Sequence, residues 1–232
     1  TIPNTYTSIG DRAFQDATAL TSITIPTSVT SIGRSAFEDA GLTSINIPNS
    51  VTSIGNEAFR AATSLTSVTF ESDSNLNTIG DGAFWNANAL TSITIPASVT
   101  IIGNYAFWNA TALTSITIPT GVTIIKHKTF HSAISLTSIS IPNSVITIAD
   151  RAFQNTSSLI SINIPSSVTR IEDFAFQDTS LNSITIPASV TTIGRDVFFG
   201  AALLQTINVD GGNSNYLSDV NGVLFNKFNN NY

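Results

Sequence analysis

Phenylalanine recurs along this chain at an almost constant spacing, and that period constrains the fold more than any other feature. The set is Phe14, Phe37, Phe59, Phe84, Phe107, Phe130, Phe153, Phe176 and Phe198, and only the interval from Phe59 to Phe84 is noticeably longer than the rest. Each member belongs to a unit of the form L-x-x-I-x-I-P-x-S-V-x-x-I-G-x-x-A-F-x-x-A. A unit of this size cannot bury its own apolar side chains, so it must stack on similar neighbours.

The first part of each unit predicts a short β-strand. In residues 92–95, polar and apolar side chains alternate over mostly β-branched residues, which is typical of a strand with one buried face. Pro96 ends that strand, because proline donates no hydrogen bond to a sheet and fixes its own φ angle. Beyond the proline, Val99 and Ile102 are expected to point inward, and Phe107 to enter the interior.

Stacking of these units predicts an α/β solenoid that is mostly β. Strands about 4.8 Å apart would form one continuous parallel sheet. We expect a right-handed coil with the sheet on its concave face and with short 3₁₀ or helical turns on the back, where the phenylalanine rings need more room. Residues 1–209 are predicted to form about nine repeats of 22–25 residues, the first of them truncated.

The units resemble the leucine-rich repeats of the BspA-like family, which occur in bacterial and protist surface proteins. The resemblance runs from Ile2 to about Phe225 and rests on the strand, the proline, "SIG" and "AF" recurring in that order. Members often have Cys a few residues after "AF", where this chain has residues such as Ala110. Residues 216–227, YLSDVNGVLFNK, resemble the segment that interrupts or closes arrays of that family. We therefore expect residues 210–232 to be a capping or interrupting segment.

Composition argues against several classes of partner. With 15 acidic and 9 basic residues the net charge is -6, so the chain offers no basic surface for nucleic acid or for an anionic membrane. No apolar run is long enough for direct membrane insertion. Cysteine is absent, which excludes a thiolate nucleophile and a disulfide framework.

The two histidines, His127 and His131, lie in "KHKTFH". Their spacing would bring two imidazoles together on a helical turn, as a metal site needs, but Lys126 and Lys128 flank them and oppose a cation. No Ser-His-Asp or lysine-based constellation is evident. We interpret both histidines as ordinary solvent-exposed residues, and we predict no catalytic residue, no metal, no cofactor and no enzyme activity.

Large side chains follow several of the repeating phenylalanines, and stacking would place them side by side. Trp85, Trp108 and His131 would form an aromatic ladder on the back or edge, with Tyr105 close by. Exposed aromatic residues are frequent anchors of protein or glycan contacts, so these four are the candidate binding residues. The alternative is that the tryptophans fold down and pack on the array.

The strand face offers a different candidate surface, a ladder of small polar residues represented by Ser92, Thr94, Ser115 and Thr117. The face carries neither charged nor aromatic residues, whereas a surface that recognises one protein usually has such anchors. The ladder is either a neutral consequence of close strand packing or a surface matched to a repetitive target such as a polysaccharide or ice. One longer unit adds a polar loop at residues 71–75, which is either a tolerated insertion or part of a binding face.

These observations predict a noncatalytic protein-interaction or adhesion module, belonging to a cell-surface or secreted protein and binding a protein or glycan ligand. The alternatives are a structural spacer and a self-associating stalk, since the first strand would present an unpaired edge. Nucleic acid is not an expected partner.

Overall fold

Most coils of the molecule contain two short β-strands. The computed structural model describes residues 2–227 of the chain. The strands are β1 (Ser8–Ile9), β2 (Ser31–Ile32), β3 (Ser44–Ile47), β4 (Ser53–Ile54), β5 (Ser67–Phe70), β6 (Thr78–Ile79), β7 (Ser92–Ile93), β8 (Ile101–Ile102), β9 (Ser115–Thr117), β10 (Ile124–Ile125), β11 (Ser138–Ser140), β12 (Thr147–Ile148), β13 (Arg170–Ile171), β14 (Ser183–Ile186), β15 (Thr192–Ile193), β16 (Thr206–Val209), β17 (Tyr216–Ser218) and β18 (Leu224–Asn226).

The strands stack as two parallel ladders rather than as the one continuous sheet predicted from the sequence. The strand-face ladder comprises β3, β5, β7, β9 and β11 and resumes as β14 with β16. The second ladder comprises β1, β2, β4, β6 and β8 and resumes as β10, β12, β13 and β15. It arises from the residue pair before the glycine of the repeat unit, where an outward residue, usually Ser or Thr, precedes an inward Ile. The expected mostly β, parallel-stranded solenoid is confirmed.

Side chains from every coil meet in one apolar core, which contains the inward positions expected from the repeat. At its centre the phenylalanine rings stack in a column from Phe14 to Phe198, with neighbouring centroids 5.2 to 6.0 Å apart and planes within 9° of parallel. The rings from Phe37 to Phe176 are fully buried. Each ring is therefore shielded from water mainly by the rings of adjacent coils.

The back of each coil is formed by turns, and the expected 3₁₀ or helical turns are not present among the described residues. In the first coil Arg12 and Asp16 both have φ of 58°, a left-handed conformation that interrupts helical geometry. Alternate N–H groups donate to the next coil: Arg12 to Arg34, Phe14 to Ala36 and Asp16 to Glu38, each at 2.8 Å. A helix would use those donors within its own coil, so the inter-coil bonds explain the difference. The right-handed sense and the concave placement of the strands stay predictions.

The segment after the last repeat folds back onto the array. Strands β17 and β18 pair antiparallel, and the Tyr216 hydroxyl accepts a hydrogen bond from the Ile193 N–H at 2.8 Å. The buried Asn213 amide donates to the carbonyls of Pro187 and Val190. Residues 210–215, "DGGNSN", begin with a turn closed by the Asn213 N–H and the Asp210 carbonyl. Of the segment predicted to cap or interrupt the array, residues 228–232 lie outside the described residues.

The phenylalanine column predicts unequal effects of ring removal. Phe107→Ala should lower the free energy of unfolding by about 3–5 kcal/mol, because it leaves a cavity between two stacked rings. Phe14→Ala should have a smaller effect, since Phe14 is only half-buried and has one stacked neighbour. Urea denaturation followed by circular dichroism compares the two variants. Equal losses would contradict a column whose stability depends on neighbours on both sides.

A second prediction concerns the glycine that follows most of the second-ladder strands. A Cβ atom on Gly103 would lie 2.4 Å from the Asp81 nitrogen, whereas one on Gly10 would meet nothing within 4 Å. Gly103→Ala should therefore destabilise the protein by about 1–3 kcal/mol through overpacking. Gly10→Ala, the matched control at the same repeat position, should change stability by less than about 1 kcal/mol. The same denaturation measurement applies, and a neutral Gly103→Ala would refute the close approach.

Candidate functional site

The residues that follow the core phenylalanines form a continuous row along the back. The Gln15 amide contacts Glu38 at 3.3 Å, and Arg60 forms an ion pair with Glu38 at 2.5 Å. The Arg60 guanidinium lies over the Trp85 ring, 4.7 Å from its centroid. Farther along, the Gln154 and Gln177 side chains are hydrogen-bonded. The row brings together side chains that are one coil apart in sequence.

Trp85, Tyr105, Trp108 and His131, the four candidate binding residues, lie together and are called the aromatic cluster below. The two indole rings stack with centroids 4.5 Å apart and planes at 10°. Tyr105 lies 5.4 Å from Trp108 and 6.3 Å from Trp85, and His131 lies 5.5 Å from Trp108. All four side chains are half-buried. The tryptophans therefore pack on each other along the array, and their edges face solvent.

Cations occupy much of the remaining ring surface. Trp85 is held between Trp108 on one side and the Arg60 guanidinium on the other. The Lys128 ammonium lies 5.2 Å from the Trp108 centroid and 5.7 Å from that of Tyr105, within the range of cation–π attraction.

Sequence reasoning did not include Arg60 and Lys128 in the site. Arg60 occupies the repeat position of Trp85 in the preceding coil, and Lys128 occupies that of Tyr105 in the following coil. Because equivalent positions of adjacent coils stack, these shared positions were the signal that could have found both cations.

Neither histidine is the fully solvent-exposed residue that the sequence suggested, because both are half-buried. His127 Nδ1 lies 2.8 Å from a carboxylate oxygen of Asp150, and its ring meets Tyr105 edge-on at 5.0 Å. His131 Nδ1 is 3.1 Å from the Gln154 carbonyl oxygen. Asp150 was missed as a partner because it lies in the next coil. Within residues 2–227 no group of three His, Asp or Glu side chains is placed to hold a metal ion.

The polar residues of the strand face stand in register. Ser92 pairs with Ser115, and Ser115 pairs in turn with Ser138, while Thr117 pairs with Ser140. Ser92, Thr94, Ser115 and Thr117 are all exposed. They line an open depression of about 500 Å³.

A second depression, of about 490 Å³, adjoins the first at Thr94. One of its walls is the polar insertion at residues 71–75, which leaves the fold directly after β5. The Glu71 carboxylate accepts a hydrogen bond from the Asn49 N–H at 3.1 Å, which ties the loop to the preceding coil. The exposed carboxylate of Asp73 is the charged group of this depression that faces solvent.

Comparisons with known proteins give the same repeat class. A family model described as a BspA type leucine-rich repeat region matches in six copies over residues 1–114 and 100–220. A leucine-rich cell surface protein of Faecalibacterium prausnitzii is 35% identical, with a TM-score of 0.63 over 86% of this chain and 47% of that chain. A leucine-rich repeat protein of T. pallidum is 20% identical, with a TM-score of 0.59 over 86% of this chain and 79% of that one, which is a likeness of fold.

The chain thus spans about half the length of the F. prausnitzii protein. A search of curated protein sequences gives no significant match. None of the described residues belongs to a helix long and apolar enough to cross a membrane.

The surroundings of His131 predict a pH dependence. Burial is the largest influence and lowers the pKa of His131 below its ordinary value of 6.5, and the nearby Lys128, Arg151 and His127 lower it further, against the raising effect of the Gln154 carbonyl. Protonation therefore favours the unfolded chain, and the stability that neutral His131 contributes is lost as the pH falls below about 6.5. His131→Gln should show a shallower fall in the free energy of unfolding between about pH 7 and pH 5. Identical slopes in urea denaturation would refute this.

Proposed function

The chain belongs to the BspA-type leucine-rich repeat family, and on that basis we propose that it is a noncatalytic interaction module of a cell-surface or secreted protein. The F. prausnitzii relative is described as a cell surface protein, which supports this location. The module would act by binding a protein or glycan, as an adhesive segment does.

One observation supports this proposal most, the packing of two tryptophans and a tyrosine into a single half-buried cluster. Trp and Tyr are enriched at the energetic centres of protein interfaces, where a rigid aromatic edge is desolvated at little entropic cost. In this cluster each ring is already held by its neighbours, so binding would order few additional side chains. The aromatic cluster is therefore the proposed contact surface.

An array of extracellular-matrix proteins and glycans, probed with the wild-type protein and with Trp85→Ala/Trp108→Ala, tests the proposal. Loss of two hot-spot residues should weaken binding by about 30-fold or more, which corresponds to about 2 kcal/mol. Phe199→Ala is the matched control, because Phe199 occupies the same repeat position in a later coil and is 65% exposed. Circular dichroism establishes that all variants are folded.

Three results are informative. Binding that is lost in the tryptophan variant and kept by Phe199→Ala supports the proposal. Binding that is equal in all proteins contradicts the assignment to the aromatic cluster. Binding by none of them favours the alternative function, a spacer or self-associating stalk.

The strand face carries the remaining alternative, recognition of a repetitive surface such as a polysaccharide or ice. Its support is the register of exposed hydroxyl groups at Ser92, Ser115 and Ser138. Thr117→Arg places a bulky charge on the same face, two residues from Ser115, and leaves the aromatic cluster intact. Array binding that is lost in Thr117→Arg and kept in the tryptophan variant would transfer the function to this face.

A further inference from the structure

The charges of the chain are unevenly distributed. Residues 82–149 contain no Asp or Glu, although the chain has 15 acidic residues and a net charge of -6. The same stretch contains Lys126 and Lys128 as its only Lys or Arg residues. An acidic protein therefore has a central region whose only fixed charges are positive.

These two lysines are not neutralised by the protein itself. Five of the six arginines are ion-paired with carboxylates: Arg34 with Glu57, Arg60 with Glu38, Arg151 with Asp150, Arg170 with Glu172 and Arg195 with Asp173. Neither Lys126 nor Lys128 forms an ion pair with a carboxylate of the described residues. Lys128 instead lies over the Tyr105 and Trp108 rings. Both ammonium groups are left to pair with an external anion.

Exposed aliphatic side chains appear in the same coils. Ile101 and Ile124 occupy the outward position of the second ladder, and each is 42% exposed. The outward residue is Ser or Thr in most other coils, for example Ser53 and Thr78. In the following coil Thr147 holds the outward position, and the residue before it, Ile146, is 47% exposed. The described ladder is also interrupted between β8 and β10, which carry the first two isoleucines.

The aliphatic, cationic and aromatic groups form one surface. Residues 124–128 connect them, because this segment runs from exposed Ile124 through Lys126 to His127 and Lys128, which pack on Tyr105. We call this surface the central patch: Ile101, Ile124, Ile146, Lys126, Lys128 and the aromatic cluster.

The geometry favours a protein over a glycan as the occupant. Sugars stack on open aromatic faces, but Trp85 has Arg60 on one face and Trp108 on the other. Aromatic edges beside exposed aliphatic groups are instead typical of the centre of a protein interface. Unpaired lysines at the margin of such a surface are complementary to carboxylates, and the acidic coils on either side would repel the same carboxylates.

We propose that the central patch binds an acidic segment of another protein, in which carboxylates flank apolar side chains. The carboxylates pair with Lys126 and Lys128, and the apolar side chains cover the isoleucines and the exposed edges of the aromatic cluster. This inference rests on the proposed function and specifies the chemistry of its partner.

Synthetic peptides of about eight residues, which span about 25 Å when extended, serve as the probe. One library alternates Asp or Glu with Leu, Phe or Tyr, and its matched library replaces each acid by the corresponding amide. Fluorescence anisotropy measures binding to the wild-type protein and to Lys126→Glu/Lys128→Glu. Arg12→Glu is the control, because Arg12 occupies the same repeat position as Lys128 in the first coil, with φ of 58° against 53°. Polygalacturonate serves as the anionic glycan.

The acidic library should bind at least about tenfold more tightly than the amide library, and the lysine variant should lose at least about tenfold where Arg12→Glu loses nothing. Raising the salt concentration to about 0.5 M should weaken binding further. Equal affinity for both libraries, equal affinity of the two charge variants, or no peptide binding at all overturns the inference. Lysine-dependent binding of polygalacturonate alone would identify a glycan and overturn it as well.

The two proposals fail in different ways. One outcome is that array ligands fail to bind Trp85→Ala/Trp108→Ala and yet bind equally to Lys126→Glu/Lys128→Glu and Arg12→Glu. In that case the aromatic cluster is a binding site, and the proposal of an acidic partner is wrong. If the tryptophan variant binds the array as the wild type does, the proposed function itself fails at this surface.

Discussion

Stacking of one coil on the next is the constraint on which the rest of this structure depends. No coil can hide its own phenylalanine, since the flat faces of each ring are covered by the rings above and below, with centroids 5.3 to 6.0 Å apart. The backbone follows the same logic, with alternate N–H groups on the back donating to the next coil. Stability is then a sum of contacts between nearest neighbours, and each inward position must stay nearly constant along the chain.

A fixed interior confines variation to outward positions, and stacking turns those positions into rows. A residue changed in one coil contacts its counterpart in the adjacent coil, so a surface can be built from two or three coils without altering the core. The aromatic cluster arises this way, because Trp85 and Trp108 share one repeat position and meet face to face. The pairing of His127 with Asp150, again between neighbouring coils, has the same origin.

The sequence period was sufficient to predict the inward residues, the parallel stacking and the neighbourhood of Trp85, Trp108 and His131. It was not sufficient for the second ladder, because very short strands such as Ser53–Ile54 cannot show a period. The period also did not predict the backbone conformation on the back of the coils, where residues other than glycine, such as Arg12 and Asp16, adopt positive φ. The inter-coil hydrogen bonds stabilise that conformation, and such bonds are visible only once the coils are stacked.

The central patch lies at the coils where the sequence and the strand pairing differ most from the regular repeat. Gly103 approaches the preceding coil so closely that a Cβ atom on it would overlap that coil. The next coil nevertheless has Lys126 at the same repeat position, and the second ladder is interrupted between these two coils. The interruption is tolerated because two other sets of bonds cross the same boundary. The strand-face ladder continues from β7 through β9 to β11, and the Tyr105 N–H still donates to the His127 carbonyl at 2.9 Å. Redundant bonding between coils thus allows one row to exchange regular pairing for exposed, chemically distinctive side chains, as functional surfaces on regular scaffolds commonly do.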